Sequence, residues 1–373
     1  MVARDAGSER PTVSVIVPAR NEESCLGACL ESLVAQAGVS FEIIVVDDGS
    51  TDRTREIARS FKRVQVIDSG PLPEGWSGKN NALVAGAKEA RGEWLLFTDA
   101  DTVHRVGSLA RSLAEARQQK AALLSYSPEQ EVHGLWEKAV MPVIFAELTS
   151  TYRPSEVTNP ASSAAAANGQ YILVSREAYD AVGGHAAVAA SLLEDVALAR
   201  AVKASGRKIF FRYGGDAVRT RMYRSFAQLR EGWTKNLVLL FRSPVRLAVL
   251  RLTEFVLIAG STMVTTTTGL RGRWHPAGAA AILTVVLGVF FLRRIRRAHF
   301  SWEANCLALI GLLLFSYLLL RSRIAHGRGT VSWKGRRYAD KSNRDSDMNE
   351  VRAGRTHDRG HDAGATPSRA TSN

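Results

Sequence analysis

The sequence predicts an α/β fold, a Rossmann-like, mostly parallel sheet with helices on both faces, followed by C-terminal transmembrane helices. Two observations support this fold class. Strand-like runs alternate four times with helical patterns near the start of the chain, which is typical of a doubly wound parallel sheet. After residue 236 the composition shifts to long apolar stretches, which are typical of membrane segments. The strand-like runs are residues 13–17, 42–46, 64–67 and 93–97.

The first two strands and the helix between them follow from local patterns. Residues 13–17 are mostly β-branched, and Pro18 ends the run. Leucines recur at helical spacing within residues 22–36. Residues 42–46 are nearly all apolar, as expected for a strand that is buried on both faces. Residues 47–52 then form a turn with a good helix cap, which predicts the next helix.

The second half of the series repeats this pattern. A helix is predicted to end near Phe61, and a strand follows at residues 64–67. The loop at residues 69–78 is rich in Gly and Pro, and a helix is predicted from Lys79 to Ala90. The last strand then leads directly into an acidic segment.

That acidic segment contains Asp99 and Asp101, one residue apart at a strand end. Side chains alternate along a strand, so both carboxylates are expected on the same side. Two hard oxygen ligands suit Mg²⁺ or Mn²⁺, whose other positions are filled by water and substrate phosphates. An isolated Asp-x-Asp can also be a strand end with a helix cap, and the polar groups upstream favour the metal site. His104 is a further candidate ligand, although a solvent-facing histidine is the favoured interpretation.

Four polar segments are expected to meet at one site, because ligands of parallel sheets bind at the carboxyl ends of the strands. Arg20 and Lys79, together with backbone N–H groups at helix starts, suit a pyrophosphate. No Gly-x-Gly-x-x-Gly follows the first strand and no Walker loop is present, which disfavours a dinucleotide site and a P-loop NTPase. The four segments are residues 18–20, 47–48, 76–79 and 99–101.

Motifs in these segments resemble glycosyltransferase family 2, whose members have the GT-A fold. The resemblance covers roughly residues 11–240, and its motifs are residues 15–22, 46–52, 78–83 and 98–101. Beyond this core the chain is similar to membrane-bound bacterial enzymes associated with hopanoid and carotenoid glycosylation. That narrower likeness rests on residues 76–79, 164–169, 182–185, 193–199 and 333–336.

The resemblance implies a binding site for a nucleotide-sugar donor. Asp48, with Asp47 near it, would meet the base and ribose of a uridine nucleotide, although both also fit turn capping. Lys79 would approach the donor phosphates, and Asp99 and Asp101 would hold the Mg²⁺ or Mn²⁺ ion that bridges the diphosphate. The residues implied in donor binding are Pro18, Ala19, Arg20, Glu22, Asp47, Asp48, Lys79 and Asp99.

A catalytic base is also required, because transfer to a hydroxyl needs a carboxylate to take its proton. Glu194 and Asp195 lie at the head of an otherwise apolar helix, where the helix dipole alone also favours acids. In the family this pair carries the base, which implies Asp195 in that role with Glu194 supporting it. A single carboxylate fits one displacement with inversion, whereas a glycoside hydrolase needs two flanking the bond.

The acceptor is expected on the membrane side of the site. Residues 221–236 stand where related processive enzymes carry Gln-x-x-Arg-Trp, and this chain lacks that motif in strict form. Transfer of a single sugar is therefore favoured over polymer synthesis. The residues expected on the acceptor and membrane side are Gly169, Gly184, His185, Arg221, Tyr223 and Trp233.

The charge pattern indicates contact with a membrane. The chain of 373 residues has 49 Lys and Arg against 36 Asp and Glu, a net charge of +13, which fits attraction to anionic lipid. No nucleic-acid-reading module is present, so no nucleic-acid partner is expected. The predicted divisions are an N-terminal tail (1–10), a GT-A catalytic domain (11–221), interfacial amphipathic helices (222–251), two or three membrane helices (252–320), a basic juxtamembrane segment (321–338) and a disordered tail (339–373).

Two membrane topologies are open. Residues 276–292 and 304–320 are nearly free of charge and just long enough to cross a bilayer. Residues 252–270 contain Glu254 and four consecutive threonines, so this stretch is either a span or a re-entrant piece. The arginine-rich loop 293–297 and the basic segment after residue 320 are both expected in the cytoplasm. With three spans the segment after residue 320 lies outside, and with two spans the loop 293–297 lies outside. The expected location is the inner membrane, multi-pass, with a cytoplasmic catalytic domain.

The predicted function is a membrane-anchored inverting glycosyltransferase. It would move one sugar from a nucleotide-diphosphate sugar, with a UDP-sugar favoured, to the hydroxyl of a lipid or isoprenoid-like acceptor. The alternatives are a polysaccharide synthase, a nucleotidyl transferase and a catalytically inactive membrane scaffold of the same fold. Three spans are few for a polysaccharide pore, and the joint presence of Lys79, Asp101 and Asp195 argues against an inactive scaffold.

Overall fold

The computed structural model describes residues 10–333 and 336–338. The predicted divisions 1–10 and 339–373 therefore lie almost wholly outside the described residues. The strands are β1 (Val13–Ala19), β2 (Phe41–Asp47), β3 (Val64–Asp68), β4 (Trp94–Phe97), β5 (Thr102–His104), β6 (Leu123–Ser127), β7 (Glu129–Gln130), β8 (Ile172–Ser175), β9 (Ile209–Tyr213), β10 (Val218–Thr220), β11 (Val331–Trp333) and β12 (Arg336–Tyr338).

Helices cover both faces of the main sheet and form most of the C-terminal third. They are α1 (Leu26–Val34), α2 (Thr54–Arg59), α3 (Gly78–Glu89), α4 (Ser108–Gln118), α5 (Leu135–Thr151), α6 (Pro154–Thr158), α7 (Arg176–Ala181), α8 (Gly184–Ala187), α9 (Glu194–Ala204), α10 (Phe226–Leu240), α11 (Pro244–Leu270), α12 (Trp274–Ile295) and α13 (Trp302–Gly327).

The main sheet confirms the predicted fold class. Its order is β3-β2-β1-β4-β8-β6-β9, and β3, β2, β1 and β4 run parallel to one another. β8 runs antiparallel to both of its neighbours, while β6 and β9 are parallel. The predicted strands coincide with β1 to β4, so their carboxyl ends lie at one edge of the sheet, as expected. A smaller sheet, β5-β10-β7, lies beside this edge.

Alternate residues of β1 face the two hydrophobic layers. Val15 packs in the layer that contains α1, and Ile16 packs in the layer that contains α3. The α3 layer is very close to the strand at Gly86, where an added Cβ would lie 2.5 Å from the Ile16 Cγ2 atom. This close approach fixes the start of α3, and therefore Lys79, relative to the strand ends.

The helices after residue 225 do not form a separate unit. α13 packs along α5, which lies within the range predicted as the catalytic domain, and a third hydrophobic cluster joins α5, α10 and α11 to α13. α11 is one continuous helix from Pro244, so the predicted boundary at residues 251 and 252 falls inside a helix. The division into interfacial and membrane segments is corrected accordingly.

Three helices of the described residues are long and apolar enough to cross a membrane. They are Pro244–Leu270, Trp274–Ala298 and Trp302–Gly327, with 27, 25 and 26 residues. At a rise of roughly 1.5 Å per residue each exceeds the hydrocarbon thickness of a bilayer. Residues 252–270, which could have been re-entrant, form part of the first helix. Its threonine hydroxyls bond to carbonyls one turn earlier, as Thr265 does to the Ser261 carbonyl at 2.8 Å.

A closed network of charged side chains ties α5 to α11 and α12. Arg251 pairs with Glu147 at 2.9 Å and with Glu254 at 2.8 Å. Arg294 pairs with the same two carboxylates, at 3.4 Å and 2.8 Å. Each charge has two partners of opposite sign, so the charges of these largely buried side chains are balanced, although Glu147 Oε1, Arg251 Nε and Arg294 Nε make no hydrogen bond. It explains the charged Glu254 in an otherwise apolar segment.

Gly311 provides a test of the packing between α5 and α13. A Cβ at this position would overlap the Ala139 carbonyl oxygen, whereas a Cβ at Gly288 in α12 would meet nothing within 4 Å. Gly311→Ala should therefore destabilise the protein by about 1–3 kcal/mol, the usual cost of overpacking. Gly288→Ala should leave the melting temperature in detergent unchanged or raise it. Equal melting temperatures for the two variants would contradict this packing.

Candidate active site

One cavity of about 490 Å³ lies at the carboxyl ends of β1, β2 and β4 and extends to α5, α9 and α10. The structure brings together most of the residues that the sequence predicted for the site. Those that line the cavity are Pro18, Ala19, Arg20, Glu22, Asp48, Lys79, Asp99, Asp101, Gly169, Glu194, Asp195, Arg221, Tyr223 and Trp233.

Lys79 lines the cavity together with Asp99, Asp101, Glu194 and Asp195, and we call this part of the lining the polar half. Lys79 follows the first residue of α3, whose N-cap Ser77 accepts a hydrogen bond from the Asn80 N–H. Its Nζ lies 2.7 Å from Asp99 Oδ1 and 2.8 Å from Glu194 Oε1. Burial disfavours the charged lysine, but the two carboxylates outweigh burial and raise the pKa of Lys79 well above its usual value. Lys79 is therefore a permanent cation that joins the β4 loop to α9.

Asp195 is held by two backbone donors. Its Oδ2 accepts the Gly169 N–H at 2.9 Å, and its Oδ1 accepts the Val196 N–H at 2.8 Å. Burial, and then the negative charge of Glu194, raise the pKa of Asp195 to about 6. Burial acts on Glu194 as well, but Lys79 and Lys235 outweigh it and lower the Glu194 pKa. Neighbouring carboxyls with pKa values pushed in opposite directions are typical of acid–base sites.

Asp47 and Asp48 have separate roles in the structure. Asp47 is buried, pairs with Arg55 at 3.0 Å and accepts the Ser50 N–H at 3.2 Å. It does not line the cavity, so the expectation that it contacts the donor is corrected to turn capping. Asp48 does line the cavity; its Oδ1 accepts from the Ser69 hydroxyl at 3.2 Å.

Gly184 and His185 lie away from the cavity, which corrects their expected place on the acceptor side. His185 is fully buried, its Nδ1 lies 3.0 Å from the Tyr179 hydroxyl, and its ring packs on Phe97. Burial lowers the pKa of His185 to about 4, so it is neutral. Gly184 has a φ of 55° and contacts the Tyr179 ring so closely that no Cβ would fit. His185 therefore supports β4 through its contact with Phe97, and Gly184 packs against the Tyr179 ring.

His104 is neither solvent-facing nor placed as a metal ligand. It is buried, and its Nε2 lies 3.1 Å from the Thr98 hydroxyl and 3.3 Å from the Thr102 hydroxyl. Burial lowers the pKa of His104 to about 3. The Thr98 hydroxyl also donates to the Gln170 carbonyl at 2.8 Å. These buried hydrogen bonds stabilise the loop that carries Asp99 and Asp101.

Asp99 and Asp101 line the cavity and offer carboxylate oxygens, the ligand type that Mg²⁺ and Mn²⁺ prefer. No group of three or more His, Cys, Asp or Glu side chains in the described part of the chain could hold a metal ion alone. The loop backbone is nevertheless fixed, because Thr102 donates to the Asp99 carbonyl at 2.7 Å and Thr220 donates to the Asp101 carbonyl at 3.1 Å. Mg²⁺ in phosphate-transfer sites typically has one or two carboxylate ligands plus phosphates and water.

Apolar side chains also line the cavity, and we call the wall that they form the apolar half, although the polar Gln228, Glu231 and Lys235 of α10 line the cavity as well. Arg221, another lining residue, pairs with the buried Glu137 of α5 at 3.1 Å. The apolar side chains come from α5, from the segment before α9 and from α10. They are Phe145, Leu148, Leu192, Leu193, Met222, Trp233 and Leu240.

Sequence reasoning missed Lys235 and Asn236, which line this cavity two and three residues after Trp233. Burial lowers the pKa of Lys235, although the charges of Glu194 and Asp195 act in the opposite direction. The only available signal was a lysine and an asparagine side by side in a largely apolar helix. That pattern is also typical of a helix at the membrane surface, the type of helix predicted for residues 222–251.

Comparison with known proteins identifies the family of this chain. The model of the family described as Glycosyl transferase family 2 matches residues 14–183. The 4,4'-diaponeurosporenoate glycosyltransferase of Staphylococcus aureus strain MRSA252 is 30% identical over 358 residues, which cover 90% of this chain and 91% of that protein. The protein of the same name from strain USA300 is 29% identical over 352 residues, with coverage of 90% and 91%.

Among solved structures, the mannosyltransferase PcManGT from Pyrobaculum calidifontis in complex with GDP-Man and Mn²⁺ matches with a TM-score of 0.49 and 17% identity. The match covers 85% of this chain and 87% of that chain. The parallel sheet with its acidic strand ends, together with the sequence relatives, defines a glycosyltransferase with the GT-A fold. The chain belongs to glycosyl transferase family 2.

Gly169 tests the geometry of the polar half. A Cβ at this position would lie 3.0 Å from Lys79 Nζ and 3.6 Å from Asp195 Oδ2. Gly169→Val should therefore displace both groups and reduce sugar transfer at least tenfold while the protein remains folded. Gly27→Val in α1 is the control, because a Cβ there meets only Ile57, at 3.9 Å. If both variants transfer sugar at the wild-type rate, Gly169 does not shape the site.

Proposed function

We propose that this protein transfers a single sugar, with inversion, from a UDP-sugar to the hydroxyl of a lipid or isoprenoid-like acceptor at the membrane surface. The observation that carries the proposal is that charged and apolar side chains line one continuous cavity. Lys79, Asp99 and Asp101 belong to the polar half, and the apolar half takes side chains from α5 and α10, although α10 also contributes the polar Gln228, Glu231 and Lys235. Asp195 also lines this cavity, so both substrates would have access to it.

The donor would lie in the polar half. Pro18, Ala19 and Arg20 line it at the end of β1, and Asp48 lines it after β2. The nucleoside would occupy this end, with Asp48 facing the base and ribose. Lys79 would face the diphosphate, where its charge stabilises the negative charge that develops as the bond to the sugar breaks.

A divalent cation, Mg²⁺ or Mn²⁺, would be held by Asp99 and Asp101 together with the donor diphosphate. When bound, it supplies Lewis-acid stabilisation of the leaving nucleotide diphosphate. With the cation and Lys79 in this role, the departing diphosphate would need no protein acid to protonate it.

Asp195 would act as the general base. As the acceptor oxygen forms its bond to C1 of the sugar, the hydroxyl proton would move to the Asp195 carboxylate, and the bond from C1 to the diphosphate oxygen would break. The hydrogen bonds from Gly169 and Val196 would hold the carboxylate in place for this transfer. Because the base activates an acceptor that attacks opposite the leaving group, the configuration at C1 would invert.

The acceptor would enter from the apolar half. Trp233 and Leu240 of α10 line this half, and the helices that follow α10 are long and apolar enough to cross a membrane. The Staphylococcus relatives are named for a diaponeurosporenoate acceptor, which supports a long apolar molecule here as well. A multi-pass inner-membrane protein with a cytoplasmic catalytic domain is the arrangement that fits this supply of acceptor.

The alternatives receive less support. A polysaccharide synthase would be expected to have a larger helix bundle than the three candidate spans of the described residues. An inactive scaffold would not be expected to keep Lys79 paired with both Asp99 and Glu194 inside a cavity. A nucleotidyl transferase would use the same phosphate groups, but the apolar half of the cavity would then have no role.

Replacing Asp101 tests the donor and metal assignment. Asp101→Asn should abolish Mg²⁺- or Mn²⁺-dependent UDP binding in calorimetry, because it removes the charge of one of two ligands. Circular dichroism should show an unchanged fold. Asp180→Asn, at an exposed position of α7, is the matched control and should bind UDP like the wild type. UDP binding that is unaffected by Asp101→Asn, or by a chelator in the wild type, would refute the metal assignment.

Replacing Asp195 and Glu194 tests the base. Asp195→Asn should keep UDP binding but reduce kcat by roughly 100-fold or more, the usual contribution of a general base. In the wild type, kcat/KM, which reports the free enzyme, should fall as the pH drops through about 6, because Asp195 becomes protonated there. Glu194→Gln should shift this acidic limb to lower pH, because the Glu194 charge raises the Asp195 pKa. If the acidic limb does not move in Glu194→Gln, or if Asp195→Asn turns over at nearly the wild-type rate, another residue is the base.

A further inference from the structure

A second cleft, of about 540 Å³, lies between α10, α13 and the chain that follows α13, and shares only Glu231 with the lining of the active-site cavity. We propose that this cleft binds the phosphate headgroup of an anionic membrane phospholipid. The proposal rests on the spacing of its side chains, its excess of positive charge and its position at the end of a candidate membrane helix.

Two helix faces form the cleft. The contributing residues on each helix are spaced by three or four positions, so they share one face of that helix. From α10 they are Ala227, Arg230, Glu231 and Thr234. From α13 they are Tyr317, Leu320, Arg321, Ile324, Ala325 and Arg328. Thr330 and Ser332 close the cleft from the chain after α13.

The cleft has an excess of positive charge. Arg230, Arg321 and Arg328 form no salt bridge within the part of the chain that the structure describes, in contrast to Arg251 of the α5–α11–α12 network. The one carboxylate of the cleft, Glu231, accepts a hydrogen bond from the Ser332 hydroxyl at 3.1 Å. Three guanidinium groups against one carboxylate leave two positive charges, which match a phosphate group. Arginine is well suited to phosphate because its planar donors can bind two oxygens at once.

The position of the cleft favours a lipid as the source of that phosphate. The uncharged stretch of α13 ends at Leu320, and Arg321 is the first charged residue after it. Leu320 and Ile324 are exposed, by 41% and 53%, on the same face as the arginines. A lipid would place its phosphate against the guanidinium groups and its acyl chain along these aliphatic side chains. Cations at the end of a candidate membrane helix attract anionic headgroups.

The cleft is preformed, because hydrogen bonds hold α10 against α13. The Ser322 hydroxyl donates to the Thr234 carbonyl at 2.7 Å and accepts the Val238 N–H at 3.0 Å. Arg321 Nε donates to the Thr234 hydroxyl at 3.2 Å. A phosphate would therefore bind without a large rearrangement of either helix.

The test is lipid binding by the full-length protein in a neutral maltoside detergent, measured by native mass spectrometry. Dioctanoyl phosphatidylglycerol, dioctanoyl phosphatidylcholine and inorganic phosphate are the three probes. Phosphatidylglycerol should bind at least tenfold more tightly than the other two. Arg230→Gln and Arg328→Gln should each weaken its binding roughly fivefold, the usual effect of one cation at an anionic membrane surface.

Arg271→Gln is the matched control, because Arg271 is exposed at the end of α11 and does not line the cleft. It removes the same charge and should leave phosphatidylglycerol binding unchanged. Equal melting temperatures would show that all three variants are folded. Equal binding of phosphatidylcholine, or equal loss in Arg271→Gln, would overturn the site. Inorganic phosphate binding as tightly as phosphatidylglycerol would overturn the assignment to a lipid.

Discussion

The ion pairs of Lys79 are the interaction on which the arrangement of the site depends. Asp99 follows β4 of the parallel half of the sheet, whereas Glu194 begins α9, which packs over the mixed half; Lys79 pairs with both within 2.8 Å. Such partly buried charges are tolerated only when each one is paired. The loop after β4 and the start of α9 are therefore held at a fixed separation. The same pairing leaves Asp195 beside a carboxylate that stays ionised, which is why its own pKa is raised.

A second constraint joins this site to the three candidate membrane helices. α5 packs directly on α13 at Gly311, and Glu147 of α5 is held by Arg251 and Arg294 from α11 and α12. α5 also lines the apolar half of the cavity through Phe145. The distance between the polar half of the site and the candidate spans is therefore set by packing and not by a linker. This supports an acceptor that reaches the site directly from the bilayer.

Local patterns predicted the parts of the fold that depend on short-range chemistry. The β1–β4 strands and the acidic pair after β4 were found because burial and side-chain alternation appear directly in the sequence. Asp47 was misassigned because a turn aspartate looks the same whether it faces a ligand or, as here, Arg55. His185 and His104 were misplaced because no local pattern shows that they are buried, although their hydrogen-bond partners lie within six residues of them in sequence. The role of α5 depends on packing against α13, where Gly311 meets Ala139 from 172 residues earlier in the chain, and no local pattern reveals this contact.

The charges around the cavity bear on how the donor could bind. In the polar half, the carboxylates of Asp99, Asp101, Glu194 and Asp195 outnumber the cations Lys79 and Lys235, although the whole cavity is lined by seven carboxylates and six Lys or Arg side chains. A nucleotide diphosphate adds further negative charge beside these four carboxylates, which a divalent cation entering with it would offset. The same balance disfavours an anionic acceptor and favours a neutral hydroxyl, whose proton Asp195 can take. The excess of acid in the polar half is thus a physical reason to expect metal dependence and a neutral nucleophile together.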